Sequence, residues 1–161
     1  MSLASFVTDF ILGKPRQVTF QDACVGELIA TIRRQPTNAW CRWHGQQCFE
    51  GQSRATHVSL SGDLKSPDRE LLEELHRVVR GLARIETKAD LELRKLNERA
   101  SFRNFYLSSI GDWERHDSIL QLEFVPVDRS VLDHDLVVDW PIRDGAADGQ
   151  HRLQFRAATR R

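Results

Sequence analysis

The chain has few features that point to chemistry, and these scarcities set the first limits. Only three cysteines occur, Cys24, Cys41 and Cys48. They are too few, and odd in number, for a disulfide framework, which suits a reducing compartment. No run approaches the roughly eighteen apolar residues of a membrane span. The apolar stretch within Met1–Leu12 has no basic segment before it and no small-residue cleavage site after it, so a cytoplasmic location is expected. Formal net charge is zero, which leaves no excess of positive charge to draw the chain to nucleic acid or to an anionic membrane. Also missing are a G-x-S-x-G elbow, a Walker-type phosphate loop, a G-x-G-x-x-G turn, an H-E-x-x-H helix and a C-x-x-C pair. Enzymes with a local signature and dedicated cofactor sites are therefore disfavoured, and no cofactor is expected. A site assembled from distant residues would leave no such trace.

The strongest positive signal is a helical pattern from Pro67 to Arg99. Ser66 is placed to cap it, with Pro67 in the first helical position, where a missing N–H costs nothing. Asp68, Glu70, Glu73 and Glu74 complement the positive end of the helix dipole. Leu71, Leu75, Val78, Leu82, Ile85, Ala89, Leu93 and Leu96 recur at spacings of three or four and form one apolar stripe. Eight basic and eight acidic side chains between residues 66 and 100 fall mostly on the other face, as a solvated surface requires. At about 1.5 Å per residue a continuous helix would be about 50 Å long, more than a compact domain of this size accommodates. It must project or break, either at Gly81 or, the favoured position, in the Thr87–Asp90 region, where Asp90 can cap a second helix.

On either side, short β-type runs alternate with turn residues. Val18–Phe20, Gly26–Ile32, Ala39–His44, Gln47–Gly51 and Thr56–Ser61 precede the helix. Phe102–Ser108, Ile119–Val125, Asp135–Trp140 and Leu153–Phe155 follow it. The expected fold is α+β, an antiparallel meander with one long or broken helix packed on one face. Its 161 residues suffice for a single domain with a full core. That domain is assigned to residues 1–156, with 157–161 as a loose basic tail.

Two constellations invite a functional reading. Cys41, His44 and Cys48, with His57 further on, are all zinc-ligand types. If Gly45–Gln46 forms a two-residue hairpin turn, Cys41, Trp43 and Cys48 share one face and His44 lies on the other, which breaks up the cluster. Of Trp40 and Trp43, one is expected in the core and the other at a surface suited to binding. Asp133, His134 and Asp135 offer two carboxylates beside an imidazole, but on a strand the acids point away from the histidine. A turn leading into Leu136–Val138 explains them without chemistry. Cys24 reads as small packing filler rather than as a nucleophile.

The order of parts adds a resemblance. Phe20-Gln21-Asp22, Val25-Gly26-Glu27-Leu28, the hairpin with Trp43-His44-Gly45 ending at Phe49-Glu50-Gly51, Val58-Ser59-Leu60, the long helix, Phe105-Tyr106-Leu107 and His134-Asp135-Leu136-Val137-Val138 together resemble a family of small bacterial domains of unknown function. The chain departs from that pattern at Asp133, where the family has glycine before the histidine. The resemblance implies a cytosolic bacterial protein from gene neighbourhoods that hold toxin-neutralising immunity proteins.

Charge is uneven along the chain. Residues 101–149 carry ten acidic and four basic side chains, and 150–161 carry four basic and no acidic ones. The leading expectation is a non-catalytic protein-interaction domain, immunity-type in its sharpest form, offering acidic residues between 112 and 139 to a basic protein partner. Trp40, Trp43, Asp112, Glu114, Asp133, Asp135 and Asp139 are the candidate contact residues. The competing expectation is a metal-dependent hydrolase built from His44, His57, His134 and nearby aspartates.

Overall fold

In a computed structural model, the residues described are 15–32, 40–96, 101–112, 119–128, 135–141 and 154–158. Eight strands form one sheet in sequence order. They are β1 (Arg16–Asp22), β2 (Gly26–Ile32), β3 (Cys41–Gln47), β4 (Thr56–Gly62), β5 (Phe105–Gly111), β6 (Ile119–Pro126), β7 (Asp135–Pro141) and β8 (Gln154–Ala158). Every pairing is antiparallel except β4 with β5, which is parallel. The chain is therefore α+β, but the sheet is not a pure meander. A parallel neighbour needs a crossover, and α1 (Arg69–Arg80) and α2 (Leu82–Leu96) supply it. Strand β8 also takes in Ala157 and Ala158, which pair with Leu136 and Asp135 rather than forming part of a loose tail.

Where the helices start and break corrects the sequence expectation. The N-cap is Asp68, not Ser66, and its carboxylate accepts from the N–H groups of Glu70 and Leu71. Pro67 lies outside the helix, bridged to Gly62. The break falls at Gly81 and not at Thr87–Asp90. Both polar residues there are satisfied inside α2: Thr87 Oγ1 donates to the Ala83 carbonyl at 2.9 Å, and the Asp90 carboxylate accepts from Arg94 Nε and from the Phe102 N–H. Neither needs to leave the helix to find a partner. Two helices thus replace the single long one, and both feed the same stripe. Leu75, Val78, Leu82, Ile85, Ala89 and Leu93 are buried with sheet residues including Trp43, Val58, Leu60, Ile110, Leu122 and Val138.

The register explains the core rows. Gly45 pairs with Val58, Val58 with Ile110, Ile110 with Leu122, and Leu122 with Val138. Paired residues share a face, so one line of apolar side chains crosses four central strands. Trp43 is fully buried, and its indole N–H donates to the Asp63 carbonyl at 3.0 Å. Phe20 meets its ring edge-on, with centroids 6.2 Å apart. Helix α1 is tied to β7 where Trp140 Nε1 donates to Glu74 Oε2.

The expected hairpin at Gly45–Gln46 does not form. Strand β3 runs through both residues, and the chain turns later, at Glu50–Gly51, where Gly51 has φ 81°. Gly45 serves close packing instead: a Cβ there would lie 2.6 Å from the Glu27 carbonyl oxygen and from Leu28 Cδ2. Gly111 plays the same part at the parallel pairing, where a Cβ would lie 2.3 Å from the Ser59 carbonyl oxygen. Backbone cannot yield there as a flexible side chain would. Gly111→Ala is expected to destabilise the protein by about 2 kcal/mol or more, measured by urea unfolding. A stability equal to the wild type would contradict this tight approach.

Candidate functional site

Alternation along the strands places a second, polar set of side chains on the side away from the apolar rows. From β3 come Arg42 and His44, from β4 His57, Ser59 and Ser61, from β5 Ser109, and from β6 Glu123. Three small constellations arise from this arrangement.

The first surrounds Asp112, just beyond β5 and 3% exposed. Its carboxylate accepts from the Ser61 N–H at 2.8 Å, from the Ser61 hydroxyl, and from Arg42 Nη1 at 3.3 Å. Arg42 also donates to the Asp112 carbonyl. A buried carboxylate needs this many donors to offset its lost hydration. Asp112 is a structural anion and offers no charge to a partner.

The second is the corner next to it. Trp40 is 37% exposed, and the Arg42 guanidinium sits 5.2 Å from its ring centroid. Trp40, Arg42 and His44, with Thr31, Ile32, Cys41 and Leu64, line a cleft of about 290 Å³. Arg42 is held between an indole face and a carboxylate, so this corner is ordered before anything binds.

The third is a histidine pair. His44 lies opposite Ser59, and His57 is two residues from Ser59 on the same strand, so all three project from one face. The two imidazoles stack with centroids 5.4 Å apart and planes inclined by 17°. Ser59 is fully buried, and its hydroxyl has no hydrogen-bond partner. Partial burial of the His44 ring, reinforced by His57 and then by the Arg42 charge, lowers its pKa from the ordinary value.

A larger cleft, about 720 Å³, lies between α2 and β5 and includes Gln52, Glu86, Asp90, Arg94, Arg103 and Tyr106. Burial pushes the Glu86 carboxyl up, partly offset by a hydrogen bond from Gln52. Gln52 also accepts from the Leu107 N–H, and Asp90 is taken by Arg94 and Phe102. These contacts tie α2 to the start of β5.

Of the candidate contact residues, Trp40 lies at the surface as a binding residue requires. Trp43, Asp112 and Asp135 are buried, and Asp139 is half-buried. Glu114 and Asp133 lie outside the described residues, as does His134. Burial of Asp112 and Asp135 corrects the expected acidic surface: position in an acidic stretch says nothing about which carboxylates the fold uses internally. Among the described residues, the hydrolase constellation brings His44 and His57 together, and no group of three or more metal-ligand side chains converges. The sequence reading grouped His44 and His57 by ligand type alone, and it gave no role in a site to Arg42 or Ser59. Alternation along β3 and β4 was the signal that could have found them. The cysteines are unpaired. Burial, then the Asp22 charge, raises the Cys24 thiol pKa against the opposing pull of Arg80, which is unfavourable for a nucleophile.

The His44 shift has a sign that can be tested. A lowered folded-state pKa means that the unfolded chain takes up the proton first, so this contribution is complete above about pH 6.5 and is lost as pH falls below it. The fall in unfolding free energy between pH 7.5 and 5.5 is therefore expected to be shallower in His44→Gln than in the wild type, by urea titration at each pH. Parallel profiles would contradict the assignment.

No helix of the described residues is long and apolar enough to cross a membrane. Comparison with protein-family models, with curated proteins and with solved structures finds no match to this chain.

Proposed function

We propose that this chain is a non-catalytic protein-interaction domain whose contact surface is the Trp40–Arg42–His44 corner. The observation that carries the reading is Trp40 itself, a large aromatic at the rim of a cleft with a guanidinium fixed against its ring. Tryptophan and arginine are enriched among the residues that dominate binding energy, and such anchors act beside small desolvated pockets. Ile32 and Leu64 line the cleft, so the fitting occupant is an apolar side chain presented by a protein partner. Because Arg42 is already held by Asp112, little side-chain freedom is lost on binding. An immunity-type use of the acidic block, toward a basic partner, would fall to exposed Asp128 and half-buried Asp139.

Affinity capture from the native cell at physiological salt tests the proposal. A reproducible protein partner is expected on the wild-type chain. Trp40→Ala is expected to weaken it by about 2 kcal/mol, roughly thirtyfold, and Leu91→Ala, at an exposed apolar residue of α2, should leave it unchanged. Absence of a partner, or a partner indifferent to Trp40, would overturn the assignment.

A further inference from the structure

The cleft between α2 and β5 plays no part in the interaction reading, and its charges are not balanced where they stand. Its volume of about 720 Å³ lies within the range of small-molecule sites. Glu86 is half-buried in its wall, and among the described residues its carboxylate takes its one hydrogen bond from the neutral amide of Gln52. Gln52 is itself fixed, because its Oε1 accepts from the Leu107 N–H at 3.3 Å. A carboxylate in this position gives up hydration that no cation beside it repays. One helical turn further along α2, the excess is positive. Asp90 accepts from Arg94 Nε and from the Phe102 N–H, and the charge of Arg103 acts on it as well. Two guanidiniums therefore face one carboxylate, and Arg94 holds the ion pair.

We propose that this cleft binds a free α-amino acid with an aromatic side chain, its ammonium on Glu86 and its carboxylate on Arg103. The spacing of the two poles supports a zwitterion. Glu86 and Asp90 lie about 6 Å apart along the α2 axis, at 1.5 Å per residue. The ammonium and carboxylate of an α-amino acid hang from one carbon, and each extends a charge-assisted contact of about 2.8 Å, so one molecule reaches both poles. A ligand with a single charge satisfies one pole and desolvates the other without return.

The uncharged part of the lining selects the side chain. Phe102, Phe105 and Tyr106 border the cleft, and the first two stack with centroids 5.9 Å apart. Such rings favour an aromatic partner through edge and offset contacts that exceed simple burial. The walls are also held before a ligand arrives. Arg54 lies 4.4 Å over the Tyr106 ring, and Gln52 bridges α2 to β5, so little freedom is lost on binding. The assignment is independent of the Trp40 corner, which shares no lining residue with this cleft.

Calorimetric titration of the full chain with L-phenylalanine, hydrocinnamate and phenethylamine tests the proposal, since the three share a ring and differ only in which charges they carry. L-Phenylalanine is expected to bind once per chain, and each singly charged analogue at least about tenfold more weakly. Glu86→Gln should weaken L-phenylalanine at least about tenfold and leave hydrocinnamate unchanged. Arg103→Gln should weaken L-phenylalanine by a similar factor and leave phenethylamine unchanged. Arg69→Gln, which removes an exposed charge of α1, should alter none of the three. An unshifted Trp43 indole resonance in each variant establishes that the fold survives. Absence of saturable L-phenylalanine binding, equal binding of the three probes, or wild-type affinity in either Glu86→Gln or Arg103→Gln would overturn the proposal.

Discussion

The parallel contact between β4 and β5 is the constraint on which the rest of the molecule depends. Six of the seven strand pairings are antiparallel. This one must be closed from a distance, after the chain has passed through both helices. It is secured by an unusually close approach. Gly111 lets the β5 backbone reach Ser59, the Asp112 N–H donates to the Ser59 carbonyl at 3.2 Å, and the Asp112 carboxylate then takes up Ser61 and Arg42. Two four-stranded halves thereby become one sheet over one core.

Both functional proposals lie at this junction, and for a physical reason. Arg42 reaches across β4 to Asp112, and that reach places its guanidinium beside Trp40 and orders the cleft. The cleft between α2 and β5 lies at the opposite end of the same strand pair, lined by Gln52 ahead of β4 and by Phe105 and Tyr106 at the start of β5. Ser59 lies on β4 between β3 and β5 and is fully buried, and His44 and His57 stand beside it on the polar face. A central strand buried on both faces is where a sheet can hold polar groups in fixed positions. The acidic stretch that the composition emphasised is used differently, since Asp112 and Asp135 serve the interior.

Much of the fold was legible in local pattern. The apolar stripe from Leu75 to Leu93 is buried as its spacing requires, and strands such as Gly26–Ile32 and Thr56–Ser61 appear where alternation and turn residues placed them. What escaped depends on contacts between distant segments. Gly45 looked like a turn because nothing local reveals that Leu28 and Glu27 crowd it. Asp90 looked like a cap because its partner, the Phe102 N–H, is twelve residues away. The parallel pairing and the burial of Asp112 could not be read from residue type or period at all. The site was the least legible part: Trp40, His44 and His57 were singled out by their chemistry, whereas Arg42 and Ser59 follow from register.

Native-state amide hydrogen exchange on Asp112→Ala tests the dependence of the two halves on their junction most directly. Removing this buried carboxylate leaves Ser61 and Arg42 without it and should lower global stability by about 3 kcal/mol. If the junction unites the sheet, the amides of Trp43 in β3 and Leu122 in β6 will lose protection by the same factor. Loss confined to β4 and β5, with Trp43 and Leu122 protected as in the wild type, would contradict the account.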